Sequence, residues 1–411
     1  MLMKGEIKMN EKTKFVIPEG IREFIFRYRF QNFLRENQKP HSGNVFERLE
    51  QAVIEDPDLE KRFEEFIVNE VSNGKNRQIF WCDFSVESLS ILGDISKIKS
   101  RLQNHNLPTE NFNNLLKAEA PELGEMVYLN ILEGNGQTPD KISLSFMYEY
   151  PIETEAEDGI TSQTIHDYIW VDVFPHQQYL QIKTRPYTNQ YLANLHHSNK
   201  VFDYYHLYLK NLFNISYLNM EESKGILFNI FKVLTNRAEE DYRVRIDIVE
   251  NSIIEKTKEL ASLIDLSNIK YPVDLANRIS RLLERSLILN DLDNYMAYDP
   301  EKLGIVDRID FSDQSGAKVN ALSQEEGIEI ADIYFDTRET LDEIKQLNKL
   351  WIRWFLRNPS DNPNETQHIE TKFEVYNDRM IILFLGVQSA PKEVQNHVLS
   401  LFRKFKEGEI S

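Results

Sequence analysis

An alternation of residue types over 168–185, "YIWVDVFPHQQYLQIKTR", constrains this chain more than any other feature. Alternation with a period of two is the mark of a β-strand, because successive side chains point to opposite faces. The spacing predicts a hairpin with one strand over Tyr168 to Phe174, a second over about Gln178 to Arg185, and a turn centred on His176-Gln177. That register sets Phe174 opposite Tyr179, Asp172 opposite Gln181 and Trp170 opposite Lys183. One face then carries Ile169, Val171, Val173, Leu180 and Ile182, an unbroken aliphatic set that must face a core. The other face carries Tyr168, Trp170, Asp172, Phe174, Tyr179, Gln181, Lys183 and Arg185. A slip of one residue would destroy this segregation.

The same period governs "KISLSFMYEYPIE" from Lys141, where Ile142, Leu144, Phe146, Tyr148 and Tyr150 alternate with Ser143, Ser145 and Glu149. A half-buried strand is expected there, followed by an acidic loop. Upstream, "EGIREFIFRYRFQNFLRE" has helical spacing of Ile21, Phe24, Ile25 and Tyr28, with Arg22, Arg29 and Arg35 on its other side. Residues 45–72 read as amphipathic helix broken at Pro57, and "QIFWCDFSVESLSIL" as a strand running into a helix. A helix is expected near 108–118, and turns over 121–139. Residues 190–298 are mainly helical in pattern, with Pro272 separating two helices. Beyond Pro300 the pattern mixes strand-like "GIVDRIDFS" and "IEIADIYFD", a helix around "TLDEIKQLNKLWIRWFLR", a hairpin "KFEVYNDRMIILFLG" turning at Asn377-Asp378, and a closing helix from Pro391 to Phe405.

The expected fold is α+β, multi-domain and helix-rich, with a small antiparallel sheet in the middle and a C-terminal α+β unit. The expected segments are a flexible tail (1–17), a helical N-terminal region (18–125), a sheet region (126–189), a helical middle domain (190–299) and a C-terminal α+β domain (300–411).

Charge and cysteine content narrow the function. The net charge is −18 over 411 residues, so a general nucleic-acid binder is disfavoured and nucleic acid could be held only by local basic patches. The one cysteine, Cys82, excludes an internal disulfide and any cysteine-rich zinc site. No apolar run reaches the roughly 18 residues a membrane span needs, and a cytoplasmic location is expected. Lys4-Gly5-Glu6 can be encoded as a ribosome-binding sequence shortly before the Met9 codon, which makes Met9 the expected start of translation in a low-GC bacterium.

Asp172, Gln181 and Lys183 on one hairpin face spell Asp…Gln-x-Lys. This resembles the metal-site signature of the PD-(D/E)xK nuclease superfamily in its Mrr-type form, with glutamine in place of glutamate. The resemblance implies a Mg²⁺ or Mn²⁺ ion held by Asp172 with an oxygen from Gln181, and Lys183 stabilising developing negative charge or lowering the pKa of the attacking water. It also implies a further acid from a preceding helix, for which Glu110 is the candidate.

The alternative reading of that face needs no ion. Cross-strand Asp–Gln and Trp–Lys pairs stabilise sheets unaided, and Trp170 with Lys183 and Arg185 could also stack and hold nucleic acid. Arg278, Arg281 and Arg285 form a stripe opposite Ile279, Leu282 and Leu283, read as a solvated face or a docking surface. With Arg22 and Arg29 these arginines are the candidate partner-binding residues. His196, His197, Asp203 and His206 lack the i, i+4 alignment of a helical metal pair, and the acids from Asp332 to Glu343 suit the first turns of a helix. The leading expectation is a non-enzymatic binding protein without a cofactor, working with a protein partner, a second copy or nucleic acid, as an accessory chain of a phage-defence or mobile-element system. The rival is the metal-dependent nuclease.

Overall fold

The alternation over 168–185 folds in the register it dictates: Phe174 pairs with Tyr179, Asp172 with Gln181 and Trp170 with Lys183. The turn needs left-handed backbone at Gln178, φ 55°, which lets the strands close over Pro175 and Gln178. The structure is a computed structural model that describes residues 15–74, 77–117, 122, 124–134, 136–156, 159–185, 198–266, 274–295, 303–312, 316–322, 327–328, 332–356, 367–387 and 390–410. The N-terminal residues through 14, with Met1, Met9 and most of the expected tail, lie outside the described residues, as do His196, His197 and Pro272.

Eleven strands are described: β1 (Gln78–Asp83), β2 (Phe112–Asn113), β3 (Met126–Glu133), β4 (Pro139–Ala156), β5 (Gly159–Phe174), β6 (Tyr179–Thr184), β7 (Gly304–Ser312), β8 (Lys318–Leu322), β9 (Lys349–Leu356), β10 (Gln367–Val375) and β11 (Met380–Leu385). The chain divides into two compact units, neither of them one continuous segment. Unit 1 comprises Met1–Arg77, Phe84–Ser216 and Gln388–Lys392; unit 2 comprises Gln78–Asp83, Tyr217–Val387 and Glu393–Ser411. Among the described residues no helix is long and apolar enough to cross a membrane.

Unit 1 contains β2 to β6 in sequential order, antiparallel throughout. Its helices begin where the chemistry places them. Asn44 caps Val45–Glu55, and Asp56 caps the next helix through Asp58 N and Leu59 N, with Pro57 at its first position. The basic N-terminal helix is two helices, Glu19–Phe24 and Arg27–Glu36, broken at extended Ile25 and Phe26. At the start of this unit Phe15 and Ile17 already pack: Phe15 meets Phe63 edge-on, and Ile17 N donates to Glu50 Oε1 at 2.9 Å.

Unit 2 holds β1, β11, β10, β9, β7 and β8 in that order, again antiparallel throughout. Trp81 and Phe373 pack on Phe402 of the closing helix Lys392–Lys406, and Trp354 Nε1 donates to Thr371 Oγ1 at 2.8 Å. The β10–β11 turn falls on Asn377-Asp378 as expected, closed by Tyr376 N to Arg379 O.

The small sheet expected in the middle of the chain is corrected: five strands belong to unit 1 and six to unit 2. Three misread segments explain the difference. "KLWIRWFL" is β9, not helix; Lys345, at φ 53°, ends the preceding helix Asp332–Ile344 and releases a run that alternates buried Leu350, Ile352 and Trp354 with half-buried neighbours. "DIYFD" conversely begins that helix, because short apolar runs fit both periods. The helix expected near 108–118 is β2 and a turn. There Asn113 Oδ1 accepts from Leu115 N, and Asn111 takes both backbone groups of Ile131, so asparagine side chains outcompete helical bonding.

Glu374 on β10 gathers three donors. Its carboxylate meets Lys349 Nζ at 2.6 Å and Lys372 Nζ at 2.5 Å and accepts from the Tyr376 hydroxyl at 2.6 Å. Burial alone would raise its pKa, but those three hydrogen bonds bring it down to about 2 from 4.5. A depressed carboxyl contributes stability above its unfolded pKa and loses it as pH falls through the folded one. Acid unfolding of unit 2 should therefore steepen between about pH 4.5 and 2, and Glu374→Gln should flatten that limb in a pH series of urea midpoints. An unchanged limb would refute the assignment.

Candidate functional site

The polar face of the hairpin faces a helical layer of the same unit, not solvent. Tyr168, Trp170 and Met147 join Ile17, Ile21, Phe24 and Val71 in one apolar cluster. Phe24 meets Tyr168 edge-on at 5.3 Å, and Tyr128 packs on Trp170 at 4.9 Å. Gly20 lies so near the strand that an added Cβ would sit 3.0 Å from the Tyr168 hydroxyl. On the aliphatic side Phe146, whose strand partner is Ile169, packs on Tyr205 of the helix Ser198–Phe213. Both faces are therefore core, and Asp172, Gln181 and Lys183 are all buried.

Asp172 is the centre of a closed set of donors. Its Oδ1 accepts from Ser143 Oγ at 2.7 Å and Trp170 Nε1 at 2.9 Å and meets Lys141 Nζ at 2.8 Å. Its Oδ2 meets Lys183 Nζ at 3.3 Å. Lys183 in turn donates to Asn73 Oδ1 at 2.9 Å, from a π-helical turn over Glu70–Gly74. Burial pushes the Asp172 carboxyl up, but the Lys141 and Lys183 charges with the Ser143 bond outweigh it and hold the group well below the usual carboxylate range. For Lys183 burial wins over the Asp172 charge and moves the ammonium below its ordinary value. The short donor distances around Asp172 keep it ionised.

This donor set does not fit a Mg²⁺ or Mn²⁺ ion. Such an ion takes oxygen ligands, whereas Oδ1 already receives three donors and two ammonium groups crowd the carboxylate. Glu110, the candidate further acid, is 78 % exposed and paired with Lys99. Among the described residues no group of three or more His, Cys, Asp or Glu side chains is placed to hold a metal. What the arrangement does chemically is to neutralise and order a buried strand pair.

A second buried cluster lies beside the first. Arg77, with no exposed surface, donates to Tyr168 O at 2.8 Å and to Val71 O, faces Asp167 Oδ1 at 3.7 Å and stacks over Phe24 at 4.6 Å. Arg185 approaches the same carboxylate at 3.8 Å and also stands over Phe24. Sequence reasoning missed Asp167, although a signal exists: it occupies the parity of Ile169 and Val171, where the alternation calls for an aliphatic residue.

The candidate partner-binding arginines are largely taken up inside the protein. Arg22 pairs with Glu50 at 2.5 Å, and Arg29 pairs with Glu70 through Nε at 2.9 Å. The Leu275–Asn290 helix departs from its sequence reading in part. Arg281 reaches Asp342 at 3.5 Å and Arg285 is half-buried, while Leu282 and Leu283 are exposed and Arg278 lies on the surface. The acids available beneath the helix, Asp342 foremost, draw Arg281 inward. His206 packs at a tilt on Phe202, and buried Cys82 has its thiol pushed well up by burial. No known protein family matches the chain, and no curated protein is significantly similar to it.

Proposed function

We propose that this chain acts by binding, as a cytoplasmic accessory protein that docks another protein on the helices Ser223–Asp247, Glu250–Leu263 and Leu275–Asn290. One observation carries the reading. Of the nineteen large hydrophobic side chains exposed among the described residues, ten fall between Val244 and Leu289. Ile248 is 80 % exposed, Leu263 76 % and Ile264 72 %. Exposed apolar side chains gathered into one patch mark an interaction surface. With a chain charge of −18, two copies would repel each other, so the occupant is a different protein with an apolar contact surface and a basic rim. A phage-defence or mobile-element system remains the proposed setting.

The test uses the full chain and a double variant, Leu263→Asp with Ile264→Asp. A protein captured from the native host is purified, and its affinity for both forms is titrated. We expect affinity lowered at least ~10-fold in the variant, with circular dichroism unchanged. Equal affinity for both forms would overturn the reading, and so would a concentration-dependent dimer of the chain alone in sedimentation. An incubation with Mg²⁺ or Mn²⁺ and plasmid or single-stranded substrate supplies the enzymatic arm. Cleavage lost in both Asp172→Asn and Lys183→Gln would instead establish the nuclease.

A further inference from the structure

Four helices of unit 2, Ser223–Asp247, Glu250–Leu263, Leu275–Asn290 and Asp332–Ile344, border a cavity of about 590 Å³. That volume lies in the range of small-molecule sites, roughly 300–1,000 Å³. Its wall carries five basic and five acidic side chains, with Ile246, Ile254 and Ala276 supplying an apolar strip. A purely anionic ligand would meet the carboxylates and a purely cationic one the guanidinium groups. The balanced wall favours a molecule with both charges.

The ion pairs of this wall are unequal. Glu239, fully buried, takes the close contacts, from Arg338 at 2.9 Å and Arg243 at 3.1 Å. Glu284, 5 % exposed, is left with the same two guanidinium groups at 3.6 and 3.7 Å, beyond hydrogen-bond reach, and its Oε1 accepts no hydrogen bond. Arg281, three residues earlier and so on the same side of the helix, donates from Nε to Asn277 Oδ1 at 3.2 Å and from Nη2 to Asp342 Oδ2 at 3.5 Å, while its Nη1 donates to nothing. One buried acceptor atom, Glu284 Oε1, and one buried donor atom, Arg281 Nη1, thus lie on the same side of one helix without a hydrogen-bond partner, and an unmet buried polar group favours a ligand that meets it. Both atoms are screened from bulk water, and Arg243, 41 % exposed at the wall, stands next to Glu284 Oε1.

We propose that this cavity is a binding site for a small zwitterion of the α-amino acid class. Its carboxylate pairs with Arg281, its ammonium with Glu284, and its hydrocarbon part lies along Ile246 and Ile254. The site is separate from the protein-docking role proposed above and stands or falls independently of it.

Calorimetric titration of the full chain with each standard α-amino acid at millimolar concentration tests it. At least one should give a saturable heat, with the N-acetyl and carboxamide derivatives of that amino acid binding at least ~10-fold more weakly, because each leaves one buried charge unpaired. Arg281→Gln and Glu284→Gln should abolish the heat with circular dichroism unchanged. The derivative comparison decides the matter on the native chain if a variant fails to fold. The proposal is overturned if no amino acid gives a saturable heat, if the derivatives bind as well as the parent, or if inorganic phosphate binds the same site as tightly.

Discussion

Asp172→Ala is expected to lower the stability of unit 1 by about 3–5 kcal/mol, the range for removing one partner of a buried ion pair. The substitution leaves Lys183 charged and buried, and strips Ser143 Oγ and Trp170 Nε1 of the acceptor they share. The double change Asp172→Leu with Lys183→Met should recover most of the loss, since replacing both charges by apolar groups of similar size is often neutral. Hydrogen exchange resolved to β5 and β6 is the proper readout, because two compact units need not unfold together. Protection falling in the single variant and returning in the double is the expected pattern. A single variant within about 0.5 kcal/mol of the parent would mean that the cluster is solvated, and the structural role assigned to Asp172 would be abandoned.

Arg77→Ala should cost a comparable amount, about 3–5 kcal/mol. Its loss leaves Asp167 buried with Arg185 at 3.8 Å, and two backbone carbonyls, of Val71 and Tyr168, without their donor. Arg77→Lys should rescue little. A single ammonium cannot reproduce a planar fork that reaches both carbonyls while stacking over Phe24. The two clusters share the β5 strand, so the combined Asp172→Ala and Arg77→Ala loss should depart from the sum of the singles, as contacts on one element do. Urea midpoints of unit 1 followed by local exchange check both statements, and full rescue by lysine would show that charge alone matters there.

The hairpin was legible because alternation over two strands is a local signal: shifting either strand by one residue inverts both faces. The break at Pro57 and the Asn377-Asp378 turn were legible for the same reason, each resting on residues a few positions apart. β9 was not, since its aromatic run follows a strong helical pattern, and what makes it a strand is β10 on one side and β7 on the other. The Arg281 stripe was misoriented because periodicity marks two faces of a helix without saying which one meets Asp342.

The sequence by itself determined which residues of the hairpin share a face, and that Asp172, Gln181 and Lys183 come together. Burial was decided only by the tertiary structure. Helices within Glu19–Gly74 cover the polar face of a hairpin lying about a hundred residues away along the chain. An alternating strand states that two faces differ, and only the layer packed on each determines which is wet. By closing Asp172 in with Lys141, Lys183, Ser143 and Trp170, that layer turns a constellation with the residue types of a metal site into a neutralised part of the core.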